Sequence, residues 1–135
     1  MTVAILTFGV TMSAIDKLEL SKLLAKLENK SLDFASVLDI IDSHYNYRPT
    51  EFNNGEVHNA AGENEGSAKV FGFALLNHLT QQDTLKLFAD HYDSVKAEPK
   101  GTNHANIRNF SFFGWQGFLM QRNCLVPKAL TSKAS

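Results

Sequence analysis

Apolar residues recur at helical spacing along two neighbouring stretches near the start of the chain. Residues 16–29 carry charged side chains mostly on one side and an apolar stripe of Leu20, Leu23, Leu24 and Leu27 on the other, which is the pattern of an amphipathic surface helix. The same period continues from Phe34 to Tyr45, after a break in which Ser31 is placed to cap the second helix. A break this short predicts two antiparallel helices.

A third segment is apolar on nearly every side. It starts at Ser67, where we expect the helix cap, and continues through an almost unbroken apolar run to Leu79. A helix of this kind should lie at the centre of the fold. The sequence from Thr80 to Asp83 resembles a capping box and opens a fourth predicted helix that extends to Val95.

The C-terminal part predicts one more helix and an anchored end. The fifth helix runs from a cap at Thr102 or Asn103 to Gly114, a residue type that commonly ends helices. Trp115 and Phe118 should then fix a final segment to the core, and this segment is able to form a short strand.

A polar segment, residues 46–66, separates the second helix from the central one. It is rich in Asn, Glu and Gly and contains the turn signal Asn54-Gly55. We expect one long ordered loop folded against the central helix.

These elements predict a mainly α-helical fold, a single compact domain of about five helices with one long polar loop. We place the domain at residues 16–126, between a flexible N-terminal extension, 1–15, and a loose tail, 127–135. Met12 is an alternative translation start to Met1.

Composition narrows the classes of function. A length of 135 residues with 44% hydrophobic and 20% charged residues fits one ordinary globular domain. The 13 basic and 14 acidic side chains leave a formal net charge of −1, and the cations are scattered, which disfavours nucleic-acid binding. No apolar run is long enough to cross a membrane. The single cysteine, Cys124, is expected to be a buried, small apolar residue, compatible with a reducing compartment.

Several histidines and carboxylates are candidates for a metal site. Imidazole and carboxylate ligands together suit zinc, iron or manganese. The candidates are His44, His58, His91 and His104, with Asp42, Glu65 and Asp90 as oxygen ligands. No two of these histidines have the spacing that places both on one face of a helix, so separate segments would have to converge. Structural histidines that bond to nearby carbonyl or carboxylate groups are the more frequent alternative, and no cofactor is assigned.

The polar segment supplies a second candidate site. The hypothesis is that a ligand contacts Asn53, Asn54, His58, Asn59, Asn64, Glu65 and His104. Lys69 and Arg108 could clamp a carboxylate or phosphate group of this ligand. The alternative for both cations is an ion pair with Glu56, Glu63 or Glu65.

Two functions stay open at this point. The first is an interaction module that presents the 52–66 loop to a protein partner. The second is an enzyme that binds a metal or a small ligand in a His/Asn/Glu pocket. Neither a reaction nor an oligomeric state is predicted.

Several stretches resemble one known family. NNGEVHNAAGENEGSAKVFGFALL at 53–76, DHYDSV at 90–95, GTNHANIRNF at 101–110 and IDSHYNYRPTEF at 41–52 are similar to the signature segments of the HopJ type III effector family. The resemblance covers about residues 32–115. It implies a bacterial protein, which we expect in the cytoplasm. Delivery into host cells through a type III secretion apparatus is implied by the resemblance alone, and residues 1–15 give it no independent support. The resemblance implies no particular biochemical activity.

Overall fold

The computed structural model describes residues 15–128, and over this range the chain forms an α+β fold with six α-helices and two small antiparallel sheets. The helices are α1 (Lys17–Glu28), α2 (Phe34–His44), α3 (Glu65–Leu76), α4 (Gln81–Lys86), α5 (Asp90–Ala97) and α6 (Ala105–Phe113). The strands are β1 (Tyr45–Tyr47), β2 (Phe52–Asn54), β3 (Val57–Asn59), β4 (Phe118–Leu119) and β5 (Leu125–Pro127). A 3-10 turn, Gly114–Gly117, precedes β4. The prediction of a mainly α-helical fold is therefore wrong.

The predicted 46–66 loop accounts for most of this correction. Its residues form the β2–β3 hairpin, in which Asn54 is paired with Val57 and Gly55 has a positive φ of 61°. The predicted turn at Asn54-Gly55 is thus confirmed as a hairpin turn. β4 pairs with the other edge of β2, and β1 pairs with β5 in the second sheet.

The ends of the described chain are tied to the domain. Ile15 is buried in the core, and the Lys128 N–H donates to the His44 carbonyl at 3.0 Å, beside the β1–β5 pair. Most of the predicted extension and of the predicted tail, 1–14 and 129–135, lies outside the described residues, as does the alternative start at Met12. The proposed domain boundaries stay predictions.

The first two helices begin with acidic caps. Asp16 forms a capping box with Glu19 at the start of α1. The cap of α2 is Asp33, whose carboxylate accepts from the Ser36 N–H at 2.9 Å. The predicted cap at Ser31 is wrong because Asp33 lies directly before the helix and has the extended backbone that a cap requires.

The central position of α3 is confirmed. Its residues Ala68 and Val70 are fully buried, and the Phe71 ring lies among the rings of other core residues, with centroids 4.7 to 6.3 Å apart. Those neighbours are Phe52, Phe88, Phe110, Trp115 and Phe118. The helix starts at Glu65, with Asn64 in the cap position at a φ of 49°. Ser67 therefore lies inside the first turn, so its predicted capping role is wrong.

The predicted fourth helix is two helices. Thr80 caps α4 through the Asp83 N–H, as predicted. The chain then turns after Lys86, and Ala89 has a φ of 49° that a right-handed helix cannot continue through. The sequence does not indicate a break at Ala89, because alanine has the highest helix propensity of all residues.

The last helix starts later than predicted. The residue in the cap position of α6 is His104, at a φ of 55°, and neither Thr102 nor Asn103 caps the helix. Gly114 ends α6 at a φ of 64°, as predicted. The Trp115 indole N–H donates to the Leu79 carbonyl at 3.1 Å, which confirms its anchoring role.

Candidate functional site

Four asparagines form one amide network between the hairpin and the start of α6. The Asn54 amide donates to the backbone and side-chain oxygens of Asn106 at 2.8 and 2.9 Å. Asn59 and Asn106 exchange two hydrogen bonds of 3.1 and 2.9 Å, and the Asn64 amide donates to the Asn59 oxygen at 2.6 Å. Asn54 and Asn59 are fully buried. Two residues of the predicted ligand site are thus occupied in holding the hairpin against α6.

The Asn54 side-chain oxygen is the one buried amide atom of this network without a hydrogen-bond partner in the described chain. Turning the amide over would not help, because its oxygen would then face two other oxygens of Asn106. The two hydrogen bonds that the Asn54 amide group donates to Asn106 therefore fix its side chain in one orientation.

Asn106 is a member of this network that the sequence interpretation missed. Asparagine is usually exposed, and only the i, i+4 spacing of Asn106 with the buried Phe110 could have indicated an inward position.

Asn53 and His58 lie on the solvent side of the hairpin. The His58 Nδ1 and the Asn53 Oδ1 are 2.7 Å apart, and the His58 Nε2 is 3.9 Å from a Glu51 oxygen. The His58 side chain is 60% exposed. These residues do not join His104, so the predicted set of ligand contacts is divided between two sides of the hairpin.

The four candidate metal-binding histidines lie at three separate places. His44 Nδ1 is 3.0 Å from the Ile40 carbonyl oxygen, and its Nε2 is 3.6 Å from a Glu19 oxygen. Only His91 and His104 are neighbours, with ring centroids 4.8 Å apart. Among residues 15–128, no group of three or more His, Cys, Asp or Glu side chains is arranged to hold a metal ion.

The predicted oxygen ligands have other neighbours. Asp42 pairs with Lys69 at 2.9 Å, and Asp90 accepts from the Phe34 N–H at 2.8 Å while its other oxygen is 4.0 Å from the His91 Nε2. Glu65 adds its charge to the burial that raises the pKa of Tyr47 to about 12, and burial is the larger cause.

The two predicted clamp cations are also apart. Lys69 forms its ion pair with Asp42, and its ammonium lies 5.3 Å from the centre of the Tyr47 ring. The Arg108 guanidinium donates to the backbone oxygens of Asn103 and Glu98 at 2.6 and 2.8 Å. Within residues 15–128, neither cation forms the alternative ion pair with Glu56, Glu63 or Glu65.

A cavity of about 360 Å³ opens where the starts of α3 and α6 meet, and we call it the helix-junction pocket. Its apolar wall consists of Phe34, Val57, Phe88 and Ile107. Its polar side chains are Asn64, Ser67, His91, His104 and Asn106. Gly66 and Ala105 complete the lining. Three of the predicted site residues, Asn64, His91 and His104, are therefore brought together, in company with Ser67 and Asn106.

The rings on one side of the pocket form a row. The Phe34 and His91 centroids are 4.5 Å apart, and His91 stands between Phe34 and His104. Burial lowers the pKa of His104, the charges of His91 and Arg108 lower it further, and Asp90 acts in the opposite direction. His104 is thus biased towards its neutral form, in which one ring nitrogen donates and the other accepts.

Hydrogen-bond donors predominate on the other side. Within the described chain, no side chain caps α3 or α6, so the amides of both first turns are available to an acceptor. The Ser67 hydroxyl lies in the first turn of α3 and also lines the pocket.

Cys124 does not line this pocket. Its thiol is fully buried and donates to the Ala68 carbonyl at 3.2 Å, and burial raises its pKa to about 12. Its predicted role as a small buried residue is confirmed.

Together these features define a small α+β domain with a ligand-sized pocket between two helix starts. A family model described as HopJ type III effector protein matches residues 20–125. The chain belongs to this HopJ family, as its sequence segments indicated.

One similar solved structure is described as the crystal structure of a protein of unknown function, VPA0580. It superposes with a TM-score of 0.75 at 36% sequence identity, over 84% of this chain and 97% of the other. Among curated proteins, no sequence matches this chain. Within residues 15–128, no helix is long and apolar enough to cross a membrane. The predicted bacterial location and secretion stay predictions.

Proposed function

We propose that the protein is a small-molecule-binding domain that uses the helix-junction pocket. The observation that carries the proposal is the pairing of His91 and His104 on the wall of a cavity of about 360 Å³. Ligand pockets have volumes from about 300 Å³ upwards and combine apolar walls with a few convergent polar groups. A titratable residue with a perturbed pKa in such a cavity supports the same function.

The lining indicates what kind of molecule would fit. Phe34, Phe88 and Ile107 offer an apolar surface to the body of a ligand. Ser67, the imidazoles and the first-turn amides offer donors. A compact molecule with an apolar body and an acceptor group, such as a carboxylate, satisfies both.

The 52–66 segment as a surface for a protein partner is a weaker proposal. Asn54 and Asn59 point inward, which removes half of the amides that this function would present. Asn53, Glu56 and His58 are the exposed side chains of the hairpin, and they form no apolar centre of the kind that protein interfaces use.

The proposal is tested by titrating small aliphatic and aromatic carboxylic acids into the labelled full-length protein and following the backbone amides by NMR. We expect saturable shifts at Ser67 and at residues 104–107. Ala105→Trp should block binding because Ala105 lines the pocket and is exposed. Ser67→Ala should weaken it about three- to tenfold, the effect of one hydrogen bond.

Two matched variants control for general effects. Ala60→Trp places the same bulk on the exposed end of the hairpin, and Ser43→Ala removes an exposed hydroxyl that bonds only within α2. Neither should change the affinity. Shifts confined to other surfaces, or binding that survives Ala105→Trp, would refute the use of this pocket.

A further inference from the structure

A second cavity, of about 400 Å³, forms a shallow groove between α5 and α6. One wall is the stripe Tyr92, Val95 and Lys96 of α5, and the other is the stripe Arg108, Ser111 and Phe112 of α6. Both stripes follow the i, i+3, i+4 spacing that places side chains on one face of a helix. Pro99, in the connection between the two helices, also lines the groove.

Phe112 is the most exposed large apolar residue in the described chain, at 81%. Its ring meets the Phe113 ring edge-on at 4.8 Å, and Phe113 is itself 37% exposed. The inward positions of α6 are taken by Ile107 and Phe110, so Phe112 adds nothing to the core. An exposed aromatic pair beside a groove is typical of a surface that binds another molecule.

The charges at the groove are positive and only partly neutralised. Arg108 donates only to uncharged oxygens, those of Asn103 and Glu98, and has no ion pair within the described chain. Lys96 is 3.8 Å from Asp93, but the same Asp93 oxygen is 2.7 Å from Lys30. The groove therefore combines apolar side chains with two cations, of which Arg108 has no carboxylate partner in the described chain and Lys96 shares Asp93 with Lys30.

We infer that this groove docks a short acidic amphipathic segment of a partner protein. An apolar side chain of the segment would pack against Phe112 and Val95, and its Asp or Glu side chains would face Arg108 and Lys96. Helices and extended peptides commonly bind between two helices in this way, and complementary charge selects among them.

A second copy of this chain fits the groove less well. In a two-fold dimer the same patch meets itself, so the Arg108 and Lys96 side chains of both copies would be brought together. Like charges at an interface oppose association. The charge of the groove thus favours a different, acidic partner.

The test uses two short peptides with the same leucine and phenylalanine positions, one carrying glutamates and the other lysines between them. Each is titrated into the labelled full-length protein at low salt, and the backbone amides are followed by NMR. We expect the glutamate peptide to shift Tyr92, Lys96, Ser111 and Phe112 saturably. The lysine peptide should leave them unchanged.

Variants identify the contacts. Phe112→Ser should lower the affinity for the glutamate peptide by about tenfold, the effect of losing a buried aromatic contact. Lys96→Gln should weaken it by about two- to threefold, as expected for an exposed charge pair. The controls are Leu18→Ser and Lys17→Gln, which change an exposed leucine and an exposed lysine at the start of α1. Both should bind as the unchanged protein does.

Several outcomes would overturn the inference. These are no saturable shift in the groove, equal binding of the two peptides, or equal loss in the Leu18→Ser control. Stronger binding of a single-stranded oligonucleotide at the same residues would show that the groove binds a nucleic acid and not an acidic peptide. If the protein instead self-associated in a concentration-dependent way, Phe112→Ser abolished this association and no peptide bound, the partner in the groove would be a second copy of this chain.

Discussion

The amide network makes a quantitative prediction about Asn59. Replacing Asn59 with Ala removes three hydrogen bonds, two with Asn106 and one with Asn64. It also leaves the Asn106 amide nitrogen buried without its partner. At about 1 kcal/mol for each bond, the free energy of unfolding should fall by about 3 kcal/mol. This is a large share of the stability of a small domain.

Urea unfolding at neutral pH measures this loss. With a slope of about 1–3 kcal/mol per M, the midpoint should fall by about 1–3 M at an unchanged slope. The matched control is Asn53→Ala, on the neighbouring strand of the same hairpin. The Asn53 side chain is exposed and hydrogen-bonds only to His58, so its loss should cost less than about 0.5 kcal/mol.

A double-mutant cycle tests whether the amides act together. Because Asn59 and Asn106 share two hydrogen bonds, the sum of the two single losses counts both bonds twice. The variant carrying Asn59→Ala and Asn106→Ala should therefore be more stable than this sum predicts, by about 2 kcal/mol. Equal destabilisation by Asn59→Ala and Asn53→Ala, or strict additivity in the cycle, would refute the network as a source of stability.

Three further predictions concern single groups. Because the pKa of His104 is lowered in the folded state, the unfolded chain binds the proton more readily. The contribution of neutral His104 to the free energy of unfolding should therefore be fully present above about pH 6.5 and decrease as the pH falls below it. In urea titrations between pH 7 and 5, His104→Gln should make this decrease smaller. A variant whose stability falls with pH as steeply as that of the unchanged protein would contradict the prediction. Gly55→Ala should destabilise the protein more than Gly62→Ala, by about 1 kcal/mol or more. Both glycines have a positive φ, but only at Gly55 would the new methyl group collide, with the Phe113 ring and with Asn109 Oδ1 at 2.6 Å. Equal urea midpoints for the two variants would refute the collision. Cys124, with a buried thiol whose pKa is raised to about 12, should react with a thiol reagent at pH 8 only as fast as the protein opens, and rapid labelling of the native protein would show that the thiol is accessible.

The central helix could be predicted from the sequence, whereas the strands could not. An α-helix of several turns gives a sequence pattern long enough to be recognised, and the apolar run from Val70 onwards has this length. Each strand is only two or three residues long, which is too short for an alternating pattern to be recognised. Their positions depend on pairing with distant residues, such as Leu119 opposite Asn53, and this pairing is a property of the tertiary structure.

The candidate site shows the same limit in a different form. The density of amides in 52–66 indicates an unusual segment, but an amide that binds a ligand and one that binds another amide are the same residue type. What separates them is burial, and burial of Asn54 and Asn59 depends on Asn106, some 50 residues further along the chain. The predicted cap at Ser67 is wrong for a comparable reason, since the helix start is set by Asn64, which the network holds in place.

The amide network and the helix-junction pocket are connected through two shared residues. Asn64 and Asn106 belong to the network and also line the pocket, one at the start of α3 and the other at the start of α6. Asn59 bonds to both without lining the pocket itself, so it fixes the separation of the two helix starts. Asn59→Ala should therefore reduce both ligand affinity and stability, whereas Ser67→Ala should reduce affinity alone. A variant pair that behaved in this way would identify Asn59 as a positioning residue and Ser67 as a contact. If Asn59→Ala reduced stability and left affinity unchanged, the network would serve the fold only.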